Sequence, residues 1–333
     1  MTAVAIVGAT TWGNTVARLL AKKEITVRIW AKTEEKVRLF QETLHTSPSE
    51  RDYIRYISYS NSNADVVDSA EYVIWAIPAQ SLREVVRQFH NTIADTSILI
   101  SLAKGLEADT GKRMSEILSD EFPAIPHKQI CALSGPNLSK EISLGLPATS
   151  VIASTGTDIA KKTRELFNSP NFHVFTSNDL TGVELCGALK NVIALGAGMV
   201  DGLELGENAK ATFITLGWDE VVALGTALGA RPATFYGLAG IGDLITTCAG
   251  NLSRNHYVGC EVAKGNPLNQ VKASMSNVAE GIDTTVAAHH LARNLQFKAP
   301  IIDLVYSVLF ESLPPAKIID RFRNGLKPEA KVY

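Results

Sequence analysis

Short β-branched runs alternate with amphipathic stretches through the first half of this chain and then stop, and that change of rhythm limits the fold more than any other feature. Ala3 to Val7, Ile25 to Trp30, Tyr72 to Ile77, Ser97 to Leu102, Gln129 to Leu133 and Thr149 to Ala153 read as strands, with Phe172 to Phe175 as a further one. Between them Trp12 to Lys23, Glu34 to Leu44, Leu82 to Asn91 and Ile159 to Phe167 carry apolar residues at helical spacing. Strand and helix in strict turn build βαβ units, so an α/β fold with a mainly parallel sheet is expected over residues 1–177. After about Ser177, Ala, Gly and Leu dominate and helical spacing runs to about Leu313. A second, all-helical C-terminal domain, residues 178–333, is expected there. Pro314-Pro315 breaks the chain before a short surface helix expected at Ala316 to Asn324.

The chain has 333 residues, above the usual single-domain size, which suits this division in two. With 46% hydrophobic and 20% charged residues and a net charge of -2, it has an ordinary globular composition. Acids and bases are interspersed, so no basic face for nucleic acid is expected. The start, Met1 to Gly8, lacks a basic region and a long apolar run and reads as a strand; a cytoplasmic location is expected. Leu185 to Val200 is weakly charged but holds Lys190 and several glycines, which argues against a membrane span. Cys131, Cys186, Cys248 and Cys260 lie far apart, and His289-His290 are adjacent and so not on one helix face. Reduced, buried thiols and no metal site are expected.

A strand ending in Gly8 runs straight into a helix at Trp12-Gly13-Asn14. Such a turn offers unpaired N–H groups and a positive dipole end to a pyrophosphate, and glycines let the backbone approach closely. The first half is therefore expected to be a Rossmann-type dinucleotide-binding domain. The motif is Gly8-Ala9-Thr10-Thr11-Trp12-Gly13, with Thr10 where the pattern GxGxxG has its middle glycine; alone, the glycine pair also fits an ordinary strand-to-helix turn. The tip of the second strand, Trp30-Ala31-Lys32-Thr33, carries no acid for a ribose hydroxyl and places a lysine where a 2′-phosphate would lie. NAD(P) is the expected cofactor, with NADP permitted or preferred; Lys32 would equally serve to solvate a helix start.

On a helix, Lys190 shares its face with Cys186, Gly187, Ile193 and Ala194. A lysine among small apolar residues is expected to be desolvated with a lowered pKa, which suits proton transfer to a carbonyl oxygen; the alternative is a lysine snorkelling from a core helix. Lys104 follows a strand and precedes Gly105, at the carboxyl edge where open α/β sheets bind ligands. In Gly240-Ile241-Gly242-Asp243 an acid stands at an apparent helix start, where it would also serve as an N-cap. Ser253-Arg254-Asn255 combines a hydroxyl, a guanidinium fork and an amide, a set suited to phosphate, although an exposed arginine at a helix start is equally ordinary.

Six ordered blocks now stand together: Ser101-Leu102-Ala103-Lys104-Gly105-Leu106-Glu107, Leu133-Ser134-Gly135-Pro136-Asn137, Gly182 to Val192, Gly240 to Leu244, Leu252 to Asn255 and Ala279-Glu280-Gly281. On these blocks the chain resembles bacterial-type NAD(P)-dependent glycerol-3-phosphate dehydrogenases over nearly its full length. The resemblance implies that Lys190 is the proton donor and acceptor and that Lys104 touches cofactor and substrate. It implies a substrate site of Gly135, Asn137, Asp243, Ser253, Arg254 and Asn255, with Lys104 and Asp243 in the catalytic group. Gly8, Thr11, Trp12, Gly13, Lys32, Ser139, Val278 and Glu280, with Lys104 and Arg254, would face the cofactor. The implied reaction is reversible reduction of dihydroxyacetone phosphate to sn-glycerol 3-phosphate, feeding phospholipid synthesis, and a homodimer is open to such a chain.

Four positions depart from the family pattern. Thr10 replaces a glycine, Asn137 a common serine, Ser139 a common alanine, and Leu216 an expected arginine. They keep two alternatives in view, a related NAD(P)-dependent hydroxyacid dehydrogenase and a weakly active nucleotide-sensing paralogue.

Overall fold

The computed structural model describes residues 2–44, 51–249, 253–275 and 277–318. Its first part runs β1 (Ala3–Val7), α1 (Thr11–Ala21), β2 (Thr26–Trp30), α2 (Glu34–Leu44), α3 (Arg51–Ile54), β3 (Ile57–Ser60), α4 (Asn63–Val67), β4 (Tyr72–Trp75), α5 (Leu82–Arg87), β5 (Ile98–Ser101), α6 (Met114–Glu121), β6 (Ile130–Ser134), α7 (Ser139–Ser143), β7 (Ala148–Ala153), α8 (Thr157–Phe167) and β8 (Phe172–Ser177). The rest is helical: α9 (Leu180–Gly202), α10 (Glu207–Ala227), α11 (Pro232–Phe235), a π-helical turn (Leu238–Gly242), α12 (Asp243–Ala249), α13 (Arg254–Ala263), α14 (Leu268–Ser274), α15 (Gly281–Asn294) and α16 (Pro300–Phe310). The helix expected at Ala316 to Asn324 lies for the most part outside the described residues.

One eight-stranded sheet holds the strands in the order β3-β2-β1-β4-β5-β6-β7-β8. Among the strands of the described residues, only the β6–β7 pair is antiparallel. The sheet is mainly parallel, as expected, because every connection but that from β6 to β7 returns the chain to the same edge. Strands β4, β5 and β6 are buried throughout, which is why they read as unbroken apolar runs. Side chains alternate between two cores: Ile6, Ile74 and Ile100 meet Val16 and Leu20 of α1, while Val7, Val73 and Leu99 meet Leu82 of α5 and Leu118 of α6. The order reverses between β1 and β4, and such a switch point opens a crevice at the carboxyl ends of the strands.

Two differences from the expected elements have local causes. β3, Ile-Ser-Tyr-Ser, was not expected; it lies at the sheet edge, burying Ile57 and Tyr59 and exposing Ser58, so it carries little apolar signal. The fourth strand ends at Trp75 and not at Ile77, because the carbonyl of Ala76 leaves the ladder to accept a hydrogen bond from the Thr10 hydroxyl at 2.8 Å.

The helical part is built around α9, which is long and apolar enough to cross a membrane but is buried inside the protein. Small residues let its neighbours approach backbone to backbone. A Cβ on Gly198 would stand 2.1 Å from the His256 carbonyl oxygen of α13, and one on Gly259 of α13 would stand 1.9 Å from that of Leu195. α9 is also latched to the sheet domain. The buried carboxylate of Glu184 accepts hydrogen bonds from the Ser115 N–H at 2.8 Å and from Arg113 at 2.8 Å, capping the first turn of α6.

Candidate active site

Lys190 projects from the middle of α9 and is 5% exposed. Its ammonium group donates to Asp243 Oδ1 at 2.7 Å and to the Thr247 hydroxyl. Lys104, on the loop after β5, donates to Asp243 Oδ2 at 2.7 Å and to the Gly135 carbonyl at 2.7 Å. Burial, opposed by Asp243 and reinforced by the positive charge of Lys104, lowers the Lys190 pKa to about 8. The expected desolvated lysine is thus present, at a pKa suited to exchanging a proton near neutrality.

Asp243 is not an N-cap. The π-helical turn Leu238–Gly242 runs directly into α12, so Asp243 sits inside a helical run and its carboxylate is left for the lysines. Thr247, one turn later, donates to the Asp243 carbonyl at 2.6 Å and receives Lys190, a role the sequence reading missed.

A line of amides ties the lysine loop to the helices behind it. Asn191 donates to the Lys104 carbonyl at 2.9 Å, Asn255 donates to Asn191 at 2.9 Å, and Asn255 accepts the Gly281 N–H at 2.9 Å. Asn255 is therefore a buried strut beside Arg254. Ser253 is the N-cap of α13, its hydroxyl accepting the His256 N–H at 3.2 Å. Arg254 itself is exposed and within electrostatic reach of Glu280. Asn137 donates to Ser150 at 3.1 Å and keeps its Oδ1 buried without a partner.

Of the expected nucleotide residues, Gly8, Thr11, Trp12 and Gly13 stand on the β1–α1 turn at the switch point. Gly8 takes φ +120, open to glycine, and a Cβ on Gly13 would stand 2.2 Å from the Gly8 carbonyl oxygen. Thr11 and Trp12 occupy the first turn of α1, whose N–H groups have no partner within a helix. Glu280 accepts the Ala79 N–H, after β4, at 3.0 Å, and burial raises its pKa to about 7. Lys32 and Val278 stand exposed, and Ser139 opens α7; none of the three joins the hydrogen-bonded centre around Asp243. This glycine-lined cradle at a helix N-terminus fits a dinucleotide pyrophosphate.

No group of three or more His, Cys, Asp or Glu side chains is arranged to hold a metal among the described residues. All four cysteines are free thiols, and Cys260 is only half-buried, unlike the other three.

A doubly wound sheet whose carboxyl edge meets two lysines bound to one carboxylate defines a two-domain, dinucleotide-dependent dehydrogenase. Comparison with known proteins narrows the class. Residues 3–160 match the NAD-dependent glycerol-3-phosphate dehydrogenase N-terminus, and residues 179–320 match the C-terminus of the same family. The glycerol-3-phosphate dehydrogenase [NAD(P)+] of Dehalococcoides mccartyi is 44% identical over 318 residues, 95% of this chain and 89% of that protein. Its counterpart in Chlorobium chlorochromatii is 41% identical over 95% of this chain and 96% of that protein. The crystal structure of glycerol-3-phosphate dehydrogenase from Coxiella burnetii superposes with a TM-score of 0.90 at 28% identity, covering 97% of this chain and 99% of that one. The chain belongs to the NAD-dependent glycerol-3-phosphate dehydrogenase family.

Proposed function

We propose that this chain reversibly reduces dihydroxyacetone phosphate to sn-glycerol 3-phosphate, as a cytoplasmic enzyme serving phospholipid synthesis. The observation that carries the reading is the Asp243 carboxylate shared by Lys190 and Lys104. A bound nicotinamide dinucleotide supplies the hydride. As negative charge grows on the substrate oxygen, the two ammonium groups stabilise it, and Lys190 gives up its proton there. In the reverse direction neutral Lys190 takes the proton from the alcohol. Asp243 and Thr247 keep the Lys190 ammonium aimed, and Asn191 fixes the loop that carries Lys104.

In this reading residues 1–177 hold the dinucleotide through Gly8, Thr11, Trp12, Gly13, Lys32 and Ser139, and Val278 and Glu280 face it from the helical domain. Residues 178–333 bring Lys190, Asp243, Ser253, Arg254 and Asn255 to the substrate, and Lys104, Gly135 and Asn137 reach it from the sheet domain. Ser253 and Arg254 take the phosphate, Gly135 and Asn137 border the triose, and Asn255 holds the start of α13 in place. Lys32 favours NADPH, and a homodimer is compatible with this arrangement.

The test compares wild type and Lys190→Ala in NADH and NADPH oxidation, with dihydroxyacetone phosphate and with unphosphorylated dihydroxyacetone. Loss of turnover with retained dinucleotide binding is expected for the variant, and wild type should prefer the phosphorylated ketone. A Lys190→Ala enzyme at near-normal rate removes Lys190 from the reaction; equal rates on both ketones remove Arg254 from substrate binding.

A further inference from the structure

The hydroxyl of Thr10 makes two bonds at the point where three backbone segments meet. It accepts the Gly13 N–H at 3.1 Å, as an N-cap does, and it donates to the Ala76 carbonyl at the tip of β4 at 2.8 Å. Gly8 completes the junction, since a Cβ there would stand 2.6 Å from the same Ala76 oxygen. Capping alone needs only the first of these bonds; the second joins the β1–α1 turn to β4 across the switch point.

A threonine hydroxyl has one proton and two lone pairs. Here the proton goes to Ala76 and one lone pair to Gly13, so Thr10 presents no donor to an anion resting on the first turn of α1. A glycine at the same position would leave the Gly13 N–H and the Ala76 carbonyl to a single water. Water has two protons, one for the carbonyl and one for a phosphate oxygen. Pyrophosphate accepts hydrogen bonds and donates none, so the exchange of water for hydroxyl removes one donor from beneath it.

We infer that Thr10 is an affinity-setting residue of the dinucleotide site: its hydroxyl takes the place of a donor water under the pyrophosphate, stiffening the empty turn and weakening dinucleotide binding. This rests on the dinucleotide reading of the β1–α1 turn. It gives the departure at Thr10 a sign, with stability and affinity moving in opposite directions.

The experiment titrates NADH, ADP-ribose and AMP into wild type, Thr10→Gly and Thr10→Ser by calorimetry, and records the melting temperature of each unliganded protein. Thr10→Gly should bind NADH and ADP-ribose roughly three- to tenfold more tightly, the worth of one added hydrogen bond, while AMP, which lacks the pyrophosphate, is unaffected. Its unliganded melting temperature should fall, because the bond to β4 is gone. Thr10→Ser, which keeps the hydroxyl, should match wild type in both respects. A purely structural cap predicts weaker binding together with lower stability in Thr10→Gly, and that result overturns the inference, as does unchanged ADP-ribose affinity or an equal change for AMP. Failure of wild type to bind NADH or ADP-ribose at all would instead overturn the dinucleotide reading itself.

Discussion

Lys104 and Lys190 donate to opposite oxygens of one carboxylate, each at 2.7 Å, although they come from a loop of the sheet domain and a helix of the other domain. Two ammonium groups are brought together by the charge of Asp243 between them, with the Gly135 carbonyl and the Thr247 hydroxyl as their further acceptors. The cluster carries an excess positive charge, and a substrate oxygen gaining negative charge relieves it.

Burial of this cluster sets the pH dependence. The Lys190 pKa, lowered to about 8 chiefly by burial, marks where the proton for ketone reduction is lost. Reduction, measured as kcat/KM for dihydroxyacetone phosphate, should be level below this point and fall above it. Oxidation of glycerol 3-phosphate, which needs neutral Lys190, should rise toward the same point. A reduction profile with no break between roughly pH 7 and 10 would contradict Lys190 as the donor.

Replacing Asp243 by Asn removes the attraction that keeps Lys190 protonated while leaving Lys104 to repel it. The expected loss in kcat is on the order of 10²–10⁴-fold, and the break in the reduction profile should move to lower pH. A profile that keeps its break while the rate falls would show that Asp243 acts on geometry alone.

Glu184 lies on the same helix as Lys190 but serves the domain junction, where it meets Arg113 and Ser115. Glu184→Ala should destabilise the fold by about 2–3 kcal/mol, the cost of losing buried charge-assisted bonds, as read by urea unfolding. Turnover per folded molecule should stay within a few-fold of wild type. A much larger loss in kcat at unchanged stability would place Glu184 in the reaction.

How far the sequence announces this structure depends on contrast. β1, β4, β5 and β6 are legible because strands covered on both faces are apolar without interruption, whereas β3 at the edge has only Ile57 and Tyr59 to betray it. Lys190 stands out as a charge among alanines and glycines. Thr247 does not, since a threonine one turn after an acid differs in no visible way from any helical threonine. Read locally, Asp243 passes for an N-cap, because a π-helical turn leaves no periodic trace and turns an apparent helix start into a helix interior; its place in the catalytic group is implied by the family resemblance alone. Asn191 and Asn255 work as a pair across two helices, and their coupling belongs to packing, not to either local sequence.

The glycine contacts between α9 and α13 bear on what this molecule can accept. Where Gly198 and Gly259 bring main chain against main chain, no side chain remains to be trimmed, and any larger residue separates the helices in one coarse step. The span from Lys190 to the start of α13 is thus fixed by the thickness of the backbone. On the proposed substrate reading, a molecule reaching from the lysine to Arg254 has a length that matches it, and small substitutions in this seam offer no gradual route to a longer one.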